Sequence, residues 1–169
     1  MEWCVFVRGG MICLYKQIVN IAWMSEKRSP YSDCLLFSAN AFARVLSRNA
    51  EPYFKKVGLS FTQGFLLMSI AREPGITAGK LARELVLDPS TITRALEKLE
   101  LKGLAYREER AGTVEVFPTP EGNKMEKDVR AAWGKARVFY EARFTKKESQ
   151  RLAKELEDGL EWMMEWPDR

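Results

Sequence analysis

Residues 76–122, ITAGKLARELVLDPSTITRALEKLELKGLAYREERAGTVEVFPTPEG, decide the fold. They read as two short helices joined by a turn, then a small β-hairpin. Leu81, Ala82 and Leu85 give the first helix one apolar side, and Thr77 suits its N-cap, where a hydroxyl can accept from an orphan backbone N–H. Asp88 suits a second N-cap and Pro89 the first helical position, where its missing N–H costs nothing. Ile92, Ala95, Leu96 and Leu99 keep the spacing of a half-buried helix, and Ser90, Thr91, Thr93, Arg94, Glu97 and Lys98 fall on the opposite face. Lys102-Gly103 ends that helix with a cation against its dipole and a glycine that tolerates a left-handed stop. Strands are expected at 104–107 and 113–117, where Val114 and Val116 alternate with Thr113 and Glu115, and Ala111-Gly112 supplies the turn.

A helix pair of this kind presents one helix to DNA, and a hairpin beside it can act as a wing. The segment resembles the winged helix-turn-helix of the MarR family of bacterial transcription regulators. The residues that carry the resemblance are Leu81-Ala82, Leu87 to Arg94, Leu96-Glu97-Lys98-Leu99, Lys102-Gly103-Leu104, Arg107 and Thr119-Pro120-Glu121-Gly122. It extends loosely over residues 33–165. It implies a mostly α fold with a small β-hairpin wing: a winged helix-turn-helix core flanked by N- and C-terminal dimerisation helices. The organisation it implies is an N-terminal extension (1–32), a first dimerisation helix (33–58), the DNA-binding unit (59–118) and C-terminal dimerisation helices (119–169). The helix from Pro89 would be the recognition helix. The wing departs from the family, which usually holds an Asp-x-Arg element there. The tip here is Glu108-Glu109-Arg110-Ala111-Gly112, a shorter wing in which Arg110 is the candidate for a minor groove.

The site residues have bland alternatives. Ser90, Thr91, Thr93 and Arg94 can reach phosphates or base edges, and an Arg can grip guanine O6 and N7; otherwise the hydroxyls only cap the helix and Arg94 is a solvated charge. The resemblance favours DNA contact. Lys98, one turn on, is expected on a phosphate, and Lys80 and Arg83 on the preceding helix could touch the backbone. Cys34 follows Ser32-Asp33 at the start of the first long helix, where partial positive charge makes a thiol more reactive. Some MarR relatives sense peroxides through a cysteine near the start of this helix, which makes Cys34 a candidate redox sensor. The alternative is a small buried apolar residue. Many MarR proteins also bind small aromatic compounds, and Phe37, Tyr53, Phe65 and Trp133 are the candidates for lining such a pocket; the alternative is core.

Composition limits other functions. The chain of 169 residues has no histidine, which removes the usual neutral-pH acid/base and the commonest metal ligand. Cys4, Cys13 and Cys34 show no Cys-x-x-Cys spacing, so no zinc site is expected. No glycine-rich phosphate loop or nucleophile motif is present, so neither an enzyme nor a cofactor is expected. The odd cysteine count and the lack of a signal peptide point to a reducing cytoplasm. No apolar run approaches the roughly 20 residues that cross a bilayer. Net charge is +4, yet residues 59–122 hold 8 Lys/Arg and 9 Asp/Glu, so the reading unit is net −1, while residues 1–58 hold 8 basic and 4 acidic groups. DNA affinity rests heavily on phosphate neutralisation. Arg94, Lys98, Lys80 and Arg83 are therefore expected to share one face that Glu84, Glu97 and Glu100 do not neutralise.

The flanks read as helices. One runs from Asp33 to about Lys56. Ser60-Phe61-Thr62-Gln63 matches a capping box that opens another, to about Arg72, closed by Pro74-Gly75. Thr119-Pro120 starts a long helix through Val129, Trp133 and Phe139. Thr145-Lys146-Lys147-Glu148 is a second capping box, followed by Leu152, Leu156, Leu160 and Met163 at helical spacing, with Trp162, Met164 and Trp166 adding apolar surface. The resemblance places these helices in a dimer interface; the alternative is packing within one subunit. Residues 1–23 are apolar without clear periodicity. Either the chain proper starts at Met24, or residues 5–7 and 11–15 are short strands of an arm around Gly9-Gly10. The function implied is a DNA-binding transcription repressor, homodimeric on a pseudo-palindromic operator in double-stranded DNA and released by a small aromatic ligand or an oxidant. The other reading is an interaction adaptor that keeps the winged fold without specific DNA binding.

Overall fold

The computed structural model describes residues 29–164 and two short strands, β1 (Phe6–Val7) and β2 (Gly10–Met11), which pair antiparallel. The remainder of the expected arm, with Cys4, Cys13 and Met24, lies outside the described residues, as does Trp166. The chain divides into two compact units, 1–45 and 46–169, with the boundary inside helix α1 (Leu35–Lys55).

The second unit runs α2 (Phe61–Arg72), β3 (Ile76–Thr77), α3 (Ala78–Leu85), α4 (Pro89–Leu101), β4 (Ala105–Arg110), β5 (Thr113–Pro118), α5 (Pro120–Glu141) and α6 (Lys146–Met164). Its caps follow from local chemistry. The Ser60 hydroxyl accepts from Gln63 N–H, and the Gln63 side chain accepts from Ser60 N–H at 3.0 Å, closing the capping box. Thr77, Asp88 and Thr119 each accept a first-turn N–H at the starts of α3, α4 and α5. Thr145 and Glu148 form the second box, with both reciprocal bonds present. Helix α4 stops at Gly103 (φ 66°), and the Leu104 N–H reaches back to the Leu99 carbonyl at 2.9 Å.

The sheet differs from the expected hairpin in two ways. A third strand, β3, pairs antiparallel with β5, Ile76 against Val116, giving the order β3-β5-β4. Strand β4 also continues to Arg110 rather than stopping at Arg107, so the turn is only Ala111-Gly112. Both turn residues have positive φ (49° and 78°), as a two-residue hairpin turn of matching twist requires.

The core brings Phe54 together with Leu66, Leu67 and Ile70 of α2, Leu81 of α3, Ile92, Leu96 and Leu99 of α4, Val116 of β5 and Val129 of α5, all buried. These side chains fix α4 by one face against the rest of the unit. Helix α6 is different: none of its residues is buried.

The turn between α3 and α4 holds a strained residue. Val86 caps α3 in the left-handed region (φ 50°), and its N–H and that of Leu87 both reach the Ala82 carbonyl. A β-branched residue resists this conformation, whereas glycine adopts it freely. Val86 is half exposed, so truncating it loses little burial. Val86→Gly is expected to raise stability by about 1 kcal/mol, read as a higher urea midpoint at unchanged slope. A lowered midpoint would mean that the valine's remaining contacts outweigh its strain.

Candidate nucleic-acid interface

Helix α4 is anchored by its buried face and capped at its start, which leaves Ser90, Thr91, Thr93, Arg94, Glu97 and Lys98 exposed. The Asp88 carboxylate accepts from Ser90 N–H at 2.7 Å. Hydrogen bonds from the Ser90 hydroxyl and then its N–H hold the Asp88 carboxyl below the ordinary carboxylate range. The cap is therefore intact above that range and is lost as pH falls through the lowered value. The Thr93 hydroxyl donates to the Pro89 carbonyl at 3.0 Å, leaving its oxygen to accept from outside.

Arg94 and Lys98 line one open hollow of about 250 Å³ together with Thr91 and Ala95 of α4 and Ser60, Thr62 and Gln63 at the start of α2. No acidic residue lines it. The other two expected cations do not join them. The Lys80 ammonium is held on the Glu73 carboxylate at 2.6 and 2.8 Å. Arg83 lines a different hollow with Gly79, Ala82, Val86, Leu87, Pro89 and Met164. Of the four expected cations, Arg94 and Lys98 line this hollow, Arg83 lines another and Lys80 is paired with Glu73.

Two of the three acids named with that face are engaged elsewhere. Glu84 is held by Arg72 at 2.5 Å and accepts from the Ser69 hydroxyl. Glu100 pairs with Arg107 at 3.3 Å, while Glu97 stays exposed on the outer side of α4. Arg107 also donates to the Thr93 carbonyl, so this β4 residue ties the wing to α4. Sequence spacing gave it no such role; only its place in the family resemblance marked it.

Arg110 does not project from the wing tip. Its guanidinium pairs with Glu108 at 2.9 Å and lies over the Phe117 ring, 4.4 Å from the centroid, beside the stacked Tyr106. The Glu108 hydrogen bond raises its pKa further above the ordinary guanidinium value, so it stays charged. The sheet register sets this placement, by putting Arg110 and Phe117 on one face of the hairpin.

Cys34 is exposed, not buried as the bland alternative had it. It occupies the cap position of α1: its N–H donates to the Tyr31 carbonyl and its carbonyl accepts from Ser38 N–H at 2.9 Å. Of the aromatic candidates, Phe65 and Trp133 meet edge to face at 5.8 Å. The Tyr53 ring lies instead against Phe139, and within the first unit Phe37 lies against Tyr31. Among the described residues no group of three or more acids or cysteines could hold a metal, and no helix is long and apolar enough to cross a membrane.

A MarR family model matches residues 59–112. The chain carries a MarR family domain. That domain spans α2, the helix pair and the wing as far as the Ala111-Gly112 turn. HTH-type transcriptional regulator YybA of Bacillus subtilis is 32% identical over 94 residues, covering 54% of this chain and 63% of its own length. The chain thus spans less than two-thirds of that relative. HTH-type transcriptional regulator SarZ of Staphylococcus epidermidis is 27% identical over 131 residues, 74% of this chain and 84% of its own. A MarR family transcriptional regulator from Listeria monocytogenes, solved with 26mer DNA, superposes with a TM-score of 0.65 at 23% identity, covering 80% of this chain and 97% of that one; this likeness is one of fold. Both relatives bear the names of transcriptional regulators.

Proposed function

We propose that this chain is a DNA-binding transcription repressor that reads a pseudo-palindromic operator as a homodimer. The observation that carries the reading is the hollow that Arg94 and Lys98 line together with no acidic residue in its lining, on the outer face of an anchored helix. The N-terminal half of α4 enters a major groove. There Thr91 meets a phosphate, Ser90 and Thr93 accept from donors on base edges, Arg94 reaches a base and Lys98 a phosphate. Arg83 lies against the backbone; Lys80 and Arg110 contribute after leaving their intramolecular carboxylates. The Listeria regulator of the same fold was solved with DNA, which supports this mode.

Support for the dimer comes from surface left uncovered. Leu156, Leu160 and Met163 on α6 are all exposed, and so are Leu35 and Leu36 at the start of α1. Apolar surface of this extent in a soluble chain marks an interaction site. A two-fold dimer places its recognition helices in half-sites about 10 base pairs apart. A signal releases DNA by favouring a conformer with a different helix separation. The exposed Cys34 thiol is the oxidant-responsive candidate, and the Phe65–Trp133 pair is the start of an aromatic ligand site.

An adaptor without DNA binding is the second reading. The net −1 charge over 59–122 and the pairing of Lys80 and Arg110 favour it. A gel-shift titration against the promoter region adjoining the chain's own gene, at two salt concentrations with and without peroxide, separates the two. A discrete, salt-sensitive shift is expected. Its loss with peroxide, its return with a thiol reductant and its persistence in Cys34→Ser would assign the signal to that thiol. A peroxide-insensitive shift would leave the signal to an aromatic ligand. No shift even at low salt would favour the adaptor.

A further inference from the structure

The start of α2 has a donor budget that can be followed atom by atom. Phe61 N–H reaches the Glu51 carboxylate at 3.4 Å, Gln63 N–H the Ser60 hydroxyl, and Gly64 N–H the Ser60 carbonyl. Thr62 alone in this first turn has neither its N–H nor its hydroxyl in a hydrogen bond with a described residue. Thr62 lines the same hollow as Lys98 and Arg94, across from the recognition helix. Glu51 is not among the lining residues. Two neutral donors on one helix therefore share a pocket with two cations on another.

We propose that this hollow is a phosphate seat, with Thr62 as a direct ligand through its N–H and hydroxyl and Lys98 as the counter-charge. The proposal rests on the DNA-binding reading, and adds α2 to the contact surface. The phosphate is a backbone phosphodiester next to the groove that α4 enters. Arg94, one turn before Lys98, adds its field to the seat while its longer fork extends to the base edges. Seating one phosphate between two helices fixes how deeply α4 lies in the groove, since phosphate contacts set register and orientation. The same chemistry would admit a free phosphate ion, so both sources are tested.

Thr62→Glu is the decisive variant. A carboxylate at the second position of a helix is favourable to the helix, so the fold should be kept or slightly stabilised. The same carboxylate repels a phosphate in the seat. Wild type, Thr62→Glu and Thr62→Val are compared for melting temperature and for binding to a fluorescent mixed-sequence 26-base-pair duplex at low salt. Melting of wild type and Thr62→Glu is also recorded with inorganic phosphate against chloride at equal ionic strength. Thr62→Glu is expected to weaken duplex binding by about tenfold or more with an unchanged or raised melting temperature, and Thr62→Val by about threefold, the scale of one neutral hydrogen bond. Duplex binding by Thr62→Glu equal to wild type overturns the seat while leaving DNA binding in place. If wild type binds no duplex, the DNA reading has failed and the phosphate arm decides. Stabilisation of wild type but not Thr62→Glu by phosphate would keep the seat as a site for the free ion, and no difference between them would overturn it.

Discussion

Gly122→Ala is expected to destabilise the reading unit by roughly 3 kcal/mol or more, at the upper end of overpacking costs. A Cβ at this position would stand 1.9 Å from the Leu104 carbonyl oxygen, which is backbone and cannot swing aside. That same oxygen accepts the Thr119 N–H at 3.1 Å, while the Thr119 hydroxyl donates to the Gly103 carbonyl at 2.6 Å and accepts from Gly122 N–H at 2.9 Å. Thr119-Pro120-Glu121-Gly122 is therefore the clasp that holds the start of α5 on the segment leaving α4. Forcing the helix away breaks several of these bonds together and leaves buried polar atoms unpaired. Gly134→Ala, further along α5, is the internal control. Nothing lies within 4 Å of its added methyl, and the gain in helix propensity is worth about 0.5–1 kcal/mol. Urea unfolding of the two variants should move in opposite directions. Equal, small shifts would mean that the clasp yields without cost.

Arg94→Ala is expected to weaken specific DNA binding by about 1–3 kcal/mol and to relax preference at one base pair per half-site, the behaviour of a lost bidentate base contact. Lys98→Ala should act differently, weakening binding to all sequences and lowering the salt slope by about one per subunit. Neither side chain forms an ion pair with a described residue, so neither substitution should strand a buried partner. Unchanged stability in both variants separates a contact role from a folding role. Operator affinity unchanged in Arg94→Ala would remove that residue from the recognition surface.

What the sequence made legible was mostly local. The caps at Ser60, Thr77, Asp88 and Thr145 could be named because capping chemistry acts over three or four residues, and the apolar stripe of α4 because burial follows its period. Strand β3 could not: two residues carry no periodicity, and Ile76-Thr77 are a strand only because β5 lies beside them. The extension of β4 was hidden by Glu108, Glu109 and Arg110, whose charges do not alternate with apolar residues although their backbones pair with 113–115. Ion-pair allegiance was equally out of reach. Lys80 turns to Glu73 and Arg107 to Glu100 because the fold brings separate elements together. Gly122 was marked by its motif, but its physical reason, the close approach of Leu104, is a tertiary contact. Thr62 was read only as part of a capping box; its role follows from the bonds its neighbours make and it does not.

Selection from a random duplex pool tests the central claim most directly. The purified chain is used to enrich bound sequences at moderate salt, and the recovered pool is read for symmetry. The expected result is a pseudo-palindrome with half-sites about 10 base pairs apart, lost when Arg94 and Lys98 are both replaced by alanine. A pool that stays random, or one enriched equally well by the double variant, would contradict sequence reading by α4.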